Sequence, residues 1–252
     1  MGRVKIHIRD LSKTYLTEDG KALPVLNGVN TEIYESEFIS VIGPSGCGKT
    51  TFLSLVSGLL EATDGEVLVD ERKVTGPGRD RGVVFQQDAI FPWRRVIDNV
   101  EYGLELQNVP APRRRETAMR LLDMVGLSAY ATFYPKELSG GMKKKVAIAM
   151  VLANNPEVLL MDEPFGALDY VTKVTLQKEL LNIWETEKKT TLFVTHDIEE
   201  ALFLADRIMV FTKGRLAEFY TVPFGRPRRD ELRTDPEFQK AKDQLWKYFL
   251  CP

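Results

Sequence analysis

The chain has 252 residues, 44% hydrophobic and 28% charged, and its 34 Lys and Arg against 36 Asp and Glu leave a net charge of −2. That balance argues against a dedicated nucleic-acid binder, whose footprint is a clear basic excess. The longest uninterrupted apolar run, Val146–Ala153, has eight residues, far short of the roughly 18 that span a bilayer. At roughly 150 residues per domain, the length predicts one large domain or one domain with a subdomain. The opening segment MGRVKIHIRDL lacks the apolar stretch of a secretory signal. Ile6 stands where a myristoylation motif after Gly2 requires Ser or Thr. Cys47 and Cys251 lie too far apart in sequence to suggest a disulfide framework or a metal knuckle. Together these features describe a soluble protein of a reducing compartment.

In chain order, Val4–Ile8 and Val25–Ile33 alternate as strands and predict an antiparallel layer. Phe38–Ile42 is a short apolar run expected to form a buried strand, with a helical segment, Thr51–Leu59, shortly after it. Val83–Phe85 is the next strand. Residues 97–127 then hold two helix-like stretches separated by Asn108-Val-Pro-Ala-Pro112, with Arg113–Arg115 opening the second. They interrupt the strand–helix alternation and predict a helical insertion. Val146–Ala153, apolar all round, predicts a fully buried helix. Val158–Met161, Thr191–Val194 and Ile208–Phe211 are further strands. Between the first two, Leu176, Leu180, Ile183 and Trp184 share one helical face. Beyond Tyr220 comes a Pro/Arg-rich linker, Val222–Arg229, and a terminal helix at about 236–249. The alternation predicts an α/β protein with a mainly parallel core sheet, an antiparallel β layer and a helical subdomain. The expected boundaries are a main domain over 1–221, with the helical subdomain inserted at about 92–150, and a tail over 222–252.

The segment Gly43-Pro-Ser-Gly-Cys-Gly-Lys-Thr50 matches G-x-x-x-x-G-K-[ST] between a strand and a helix. Its glycines let backbone N–H groups converge on anionic oxygens, and the helix N-terminus adds a favourable dipole. Lys49 would reach the β- and γ-phosphates, and the Thr50 hydroxyl would ligate Mg²⁺. Cys47 is expected to be a small loop residue rather than a nucleophile, since no His base is near it in sequence. Val158-Leu-Leu-Met-Asp162-Glu163 delivers two carboxylates to the C-terminal end of a strand, where α/β sheets gather their ligands. Asp162 suits Mg²⁺, directly or through water. Glu163 suits activation of water, as general base or as water-orienting group. Such an acid favours hydrolysis over phosphoryl transfer to a second substrate. Glu137-Leu-Ser-Gly-Gly-Met142 offers a second anion-ready helix start, or simply an N-cap.

With these motifs in hand, the chain resembles the ATP-binding subunits of ABC transporters, a P-loop NTPase family. The resemblance rests on residues 43–50, Leu138-Ser-Gly-Gly141, Asp162-Glu163, Ala167-Leu-Asp169 and Thr195-His196-Asp197, and covers about residues 4–220. It implies a head-to-tail homodimer, with ATP between the P-loop of one copy and the signature Ser139, Gly140 and Gly141 of the other. It assigns the phosphates to Gly43, Pro44, Ser45, Gly46, Cys47, Gly48, Lys49, Thr50 and Thr51. It gives Tyr15 the adenine ring, Gln86 (with Gln87 as the weaker candidate) the sensing of Mg²⁺ and the γ-phosphate, His196 the γ-phosphate as switch histidine, and Asp169 the link between the two sites. His7, the other histidine, is expected to be structural.

One departure stands out. After the signature the family usually carries Gln and Gln/Arg-rich positions, whereas this chain has Met142 and Lys143-Lys-Lys145. Lysines in a first helical turn oppose the dipole, at roughly 0.3–1 kcal/mol each when exposed. Either a bound triphosphate offsets that cost, or the lysines form a solvated basic face.

Phe91-Pro-Trp-Arg-Arg95, Phe165-Gly-Ala-Leu-Asp169 and the tail Arg226–Trp246 are similar to importers of the nitrate, sulfonate and taurine group, which includes transporters of thiamine-precursor pyrimidines. The resemblance implies membrane permease subunits docking on the helical region, an extracytoplasmic solute-binding protein acting through them, and a peripheral location at the cytoplasmic face of the membrane. Phe91, Trp93 and Tyr102, taken singly, are expected in the core. The terminal helix, with Phe238, Leu245, Trp246 and Phe249, is expected to pack on its own domain or on the dimer mate. Soluble ABC ATPases acting on nucleic acid or ribosomes are the alternative. They usually carry tandem domains, coiled coils or zinc motifs, none of which this sequence contains.

Overall fold

A computed structural model describes residues 2–87, 89–166 and 168–250. Ala167 and Cys251, both named above, lie outside them. In chain order the elements are β1 (Val4–Leu16), β2 (Ala22–Tyr34), β3 (Phe38–Ile42), α1 (Lys49–Ser57), β4 (Asp64–Val69), β5 (Arg72–Lys73), β6 (Arg81–Val84), α2 (Val96–Leu106), α3 (Ala111–Met124), α4 (Gly140–Ala153), β7 (Val158–Asp162), α5 (Tyr170–Glu187), β8 (Thr190–Val194), α6 (Ile198–Leu204), β9 (Arg207–Thr212), β10 (Arg215–Thr221) and α7 (Pro236–Leu250). The chain divides into two compact units, one of Met1–Gly78, Leu160–Glu163 and Lys189–Pro252, the other of Arg79–Leu159 and Pro164–Lys188. The second unit therefore begins before the expected insertion and takes in α5 as well.

In the first unit, β2-β1-β4-β5 form an antiparallel layer. The order β10-β9-β3-β8-β7 forms the core sheet, in which β3 runs parallel to β8 and β9. Every residue of β3 and of β8 is buried, which is why both are runs of apolar and small hydroxyl residues rather than alternating ones. Phe38 and Phe193 meet at 5.9 Å on adjacent strands, and Phe52 of α1 packs 5.1 Å from Phe211 of β9.

In the second unit, β6 lies beside β7, whose first residues, Val158 and Leu159, belong to it. Helices α2, α3 and α4 pack on one another through Val96, Val100, Leu104, Leu121, Leu122 and Val146, all buried. Buried Asn99 on α2 ties down the preceding loop. Its Oδ1 accepts from Phe91 N at 2.7 Å, and its Nδ2 donates to the carbonyls of Phe91, Arg94 and Arg95 at 3.0–3.2 Å.

Several sequence expectations need correction. Strand β6 ends at Val84, and Phe85 is 43% exposed, because the chain leaves the ladder there. β1 runs to Leu16 through register shifts that break its alternation. Strands β4 and β10 are absent from the sequence reading, since their polar residues mask a half-buried pattern. Within Val146–Ala153, expected to be fully buried, Met150 and Val151 are partly exposed. Trp93 is 72% exposed and Phe91 and Tyr102 are half-buried rather than core, the last two stacking edge-on at 4.6 Å.

The segment 222–229 does not behave as a linker. Arg226 donates to Asp206 Oδ1 at 2.8 Å and to Leu204 O at 2.7 Å, and buried Arg228 donates to Leu202 O at 3.0 Å and Phe203 O at 3.1 Å. The two guanidinium groups thus cap the last turn of α6. Burial and the charge of Arg226 push the Arg228 pKa down to about 10. Helix α7 packs on its own unit through Phe238, Ala241 and Leu245, whereas Trp246 is 51% exposed and stacks on Phe249.

Candidate nucleotide site

The loop after β3 is built where only glycine fits. Gly43 has φ 151°, and a Cβ there would lie 2.2 Å from the carbonyl oxygen of Phe211. Gly48, the N-cap of α1, has φ 101°, and its Cβ would come within 2.8 Å of Leu26 Cδ2. These conformations curl the backbone around Lys49, whose Nζ donates to Gly43 O at 2.8 Å and to Pro44 O at 3.0 Å. No side chain caps α1, and its first turn carries no acid, so its leading N–H groups suit an anion. Beside the loop lies a cleft of about 340 Å³ lined by Ser45, Gly46, Gly48, Lys49, Thr50, Thr51, Glu163 and Val25. Val25, from β2, carries no sequence signal for such a place. Cys47 is buried, and burial pushes its thiol up despite the neighbouring Lys49, which suits a packing residue rather than a nucleophile.

The end of β7 brings the carboxylates to this loop. Thr50 Oγ1 donates to Asp162 Oδ1 at 3.2 Å. Burial raises the Asp162 pKa above the ordinary carboxylate value, and the Glu163 charge adds to it. The Thr50 hydrogen bond and the Lys49 charge pull the other way. A hydroxyl beside a carboxylate, next to an anion-competent loop, is a donor set that fits Mg²⁺, which takes one or two protein oxygens and completes its shell with phosphates and water. Among the described residues no group of three or more His, Cys, Asp or Glu gathers into a cage for a metal.

Glu163 adopts φ 42°, an uncommon conformation for a residue with a side chain. Its N–H donates to Val194 O at 3.0 Å, linking the ends of β7 and β8. Its Oε2 lies 3.2 Å from His196 Nδ1, within hydrogen-bond reach when that nitrogen carries the proton. The imidazole is 58% exposed. Behind it, buried Thr195 donates to Glu200 Oε2, and Asp197 caps α6 by accepting from the N–H groups of Glu199 and Glu200. The sequence reading missed this support, although Asp197-x-x-Glu200 has capping-box spacing.

Lys49, Thr50, Asp162, Glu163 and His196 thus lie in the first unit, as does Tyr15, a 38% exposed ring with Lys13 Nζ 5.3 Å from its centroid. His7 lies 3.7 Å from Glu32, away from this loop on β1. Gln86, Ser139, Gly140, Gly141 and Asp169 lie in the second unit. Gln86 and its neighbour Gln87 are exposed. Ser139 is the N-cap of α4, accepting from Met142 N at 3.3 Å. Asp169 caps α5 through Thr172 N at 3.0 Å, and hydrogen bonds from the Thr172 side chain and then its backbone lower the Asp169 carboxyl pKa. The solvated basic face does not form. Lys144 is buried, and Lys145 pairs with Glu179 at 2.8 Å.

The family model described as "ABC transporter" matches residues 26–166. An uncharacterized ABC transporter ATP-binding protein of Methanocaldococcus jannaschii is 48% identical over 245 residues, covering 96% of this chain and 90% of that protein. The bicarbonate transport ATP-binding protein CmpD of Synechocystis is 47% identical over 94% of this chain and 86% of its own length. The nitrate import ATP-binding protein NrtD of the same organism is 43% identical over 95% and 93%. Among solved structures, the ATP-binding cassette MJ0796, dimeric in a post-hydrolysis state with ADP and Pi, superposes with TM-score 0.77 at 34% identity over 87% of this chain and all of that one. The chain belongs to the ABC transporter family, as one of its ATP-binding and ATP-hydrolysing subunits.

Proposed function

We propose that this subunit hydrolyses Mg·ATP in a head-to-tail dimer and drives import of a small solute through separate permease subunits. The observation that carries the hydrolytic reading is the meeting of Thr50 with Asp162 and of Glu163 with His196 beside one P-loop. Lys49 and the N–H groups of Gly46–Thr51 bind the phosphates, and Tyr15 offers a face to adenine. Thr50 and Asp162 hold Mg²⁺, and the family resemblance gives Gln86 the sensing of the ion. Bound there, the ion would neutralise charge on the β- and γ-oxygens. Glu163 orients or deprotonates the attacking water, and His196 holds both the Glu163 carboxylate and the γ-phosphate. Ser139, Gly140 and Gly141 close on the nucleotide of the second copy, and Asp169 joins the two sites.

Likeness to CmpD and NrtD over nearly the whole chain supports a solute of the nitrate and bicarbonate kind, within a group that also handles sulfonates, taurine and thiamine-precursor pyrimidines. Among the described residues no helix is long and apolar enough to cross a membrane. In this reading the subunit works peripherally, at the cytoplasmic face, and an extracytoplasmic binding protein acts through the permease. The exposed Trp93, with Phe91 and Tyr102, is the surface offered to that permease.

The test is Glu163→Gln. It retains ATP, dimerises with it and loses most phosphate release. Wild-type turnover would remove Glu163 from the reaction, and unchanged nucleotide affinity in Lys49→Ala would defeat the phosphate assignment.

A further inference from the structure

Lys144 lies in α4, the helix that opens at Ser139, and is 4% exposed. Its Nζ donates to Phe85 O at 3.2 Å and to Gln86 O at 3.0 Å. Strand β6 ends at Val84, so both carbonyls lie beyond the ladder, and the side chains of Phe85 and Gln86 are exposed. Apolar burial therefore does not hold this stretch. A cation carried on α4 holds it by its backbone, and both carbonyls lie inside the second unit. A buried ammonium keeps its acceptors because losing them leaves a desolvated charge, and bonds from an ionised donor are the stronger class. Fixing the Phe85 and Gln86 carbonyls holds the two planar peptides on either side of the Gln86 Cα, and so the direction in which its side chain leaves the chain.

We propose that Lys144 is a positioning residue for hydrolysis, tying the glutamine segment to the signature helix so that Gln86 and Ser139–Gly141 shift together. The proposal rests on the reading of Gln86 given above. In a head-to-tail dimer Gln86 serves its own P-loop while Ser139–Gly141 serve the other nucleotide. The tie then makes each subunit report the occupancy of one site to the other.

The test uses the full chain with Lys144→Met, Gln86→Ala, the double variant and Lys144→Arg. Lys144→Met is expected to lower turnover about tenfold or more, the scale of a misplaced group. It is also expected to raise the Mg²⁺ concentration for half-maximal rate and to leave ATP affinity without Mg²⁺ within about twofold of wild type, a split that separates positioning from binding. Hydrogen exchange at the Gln86 and Gln87 amides should quicken. Lys144→Arg, which keeps a cationic donor, should recover most of the turnover. In the Gln86→Ala background Lys144→Met should add no further loss, the mark of two residues acting through one interaction. Additive losses, or wild-type turnover and exchange in Lys144→Met, would overturn the proposal. Wild-type turnover in Gln86→Ala alone would instead sink the assignment of Gln86, and exchange at the two amides would then decide the tie by itself.

Discussion

His196 Nδ1 lies 3.2 Å from Glu163 Oε2, the imidazole 58% exposed and the carboxylate 23%. The pair stands at the ends of two neighbouring strands, and Glu163 reaches it only by adopting a left-handed backbone. Such a conformation costs of order 1–3 kcal/mol and persists only where surrounding structure enforces it. Here the Glu163 N–H bond to Val194 O is part of that enforcement.

His196→Ala should therefore retain ATP and lose at least about 100-fold in hydrolysis, the scale of a lost proton-handling group. Single-turnover phosphate release, beside equilibrium nucleotide binding, checks this. Hydrolysis within a few-fold of wild type would leave His196 a surface residue.

Gly43→Ala should both destabilise the fold and remove nucleotide binding. Its methyl would sit 2.2 Å from the backbone oxygen of Phe211, which cannot swing aside as a side-chain tip can. A cost of about 1–3 kcal/mol fits a forced overpacking. Thermal unfolding and fluorescent-nucleotide titration read the two effects separately.

The raised Asp162 pKa gives a pH dependence with a definite sign. Between the ordinary carboxylate value and the raised one, the folded state binds more protons than the unfolded state, so this group's contribution to stability declines as pH rises through that window. Magnesium needs the ionised form, and its affinity should fall as pH drops through the same window. Asp162→Asn should abolish that component while leaving the titration of ATP itself, so the difference between the two proteins isolates it.

Phe238→Ala should lower stability by about 3–5 kcal/mol, the cost of emptying a buried aromatic site, because Phe238 is fully buried and lies 5.6 Å from Phe224. Nucleotide affinity measured below the unfolding transition should be unaffected. Denaturant unfolding supplies the number.

What could be read from the sequence followed from how tightly each function constrains it. A phosphate loop needs fixed glycines at fixed spacing, so residues 43–50 are legible without any structure. β3 and β8 are legible because burial on both faces leaves only apolar and small hydroxyl residues, with no charge to confuse the pattern. Strands β4 and β10 are not, because half of each is solvated. Lys144 is the sharper case. A lysine in an early helical turn reads as an exposed charge, and its partners here include two backbone carbonyls, which every residue has and no sequence advertises. Val25 escapes for a related reason, since a strand residue enters the cleft only by tertiary placement.

Arg226 and Arg228 seize the carbonyls at one end of α6, and Arg233 pairs with Glu199 at 2.8 Å in its first turn. The motif residues proposed to handle ATP, up to His196, all precede this segment, yet the helix it grips begins right behind His196. A boundary drawn by motif alone, after Tyr220, would preserve the whole proposed site and cut away its buttress. The final stretch of the chain is foundation rather than appendix.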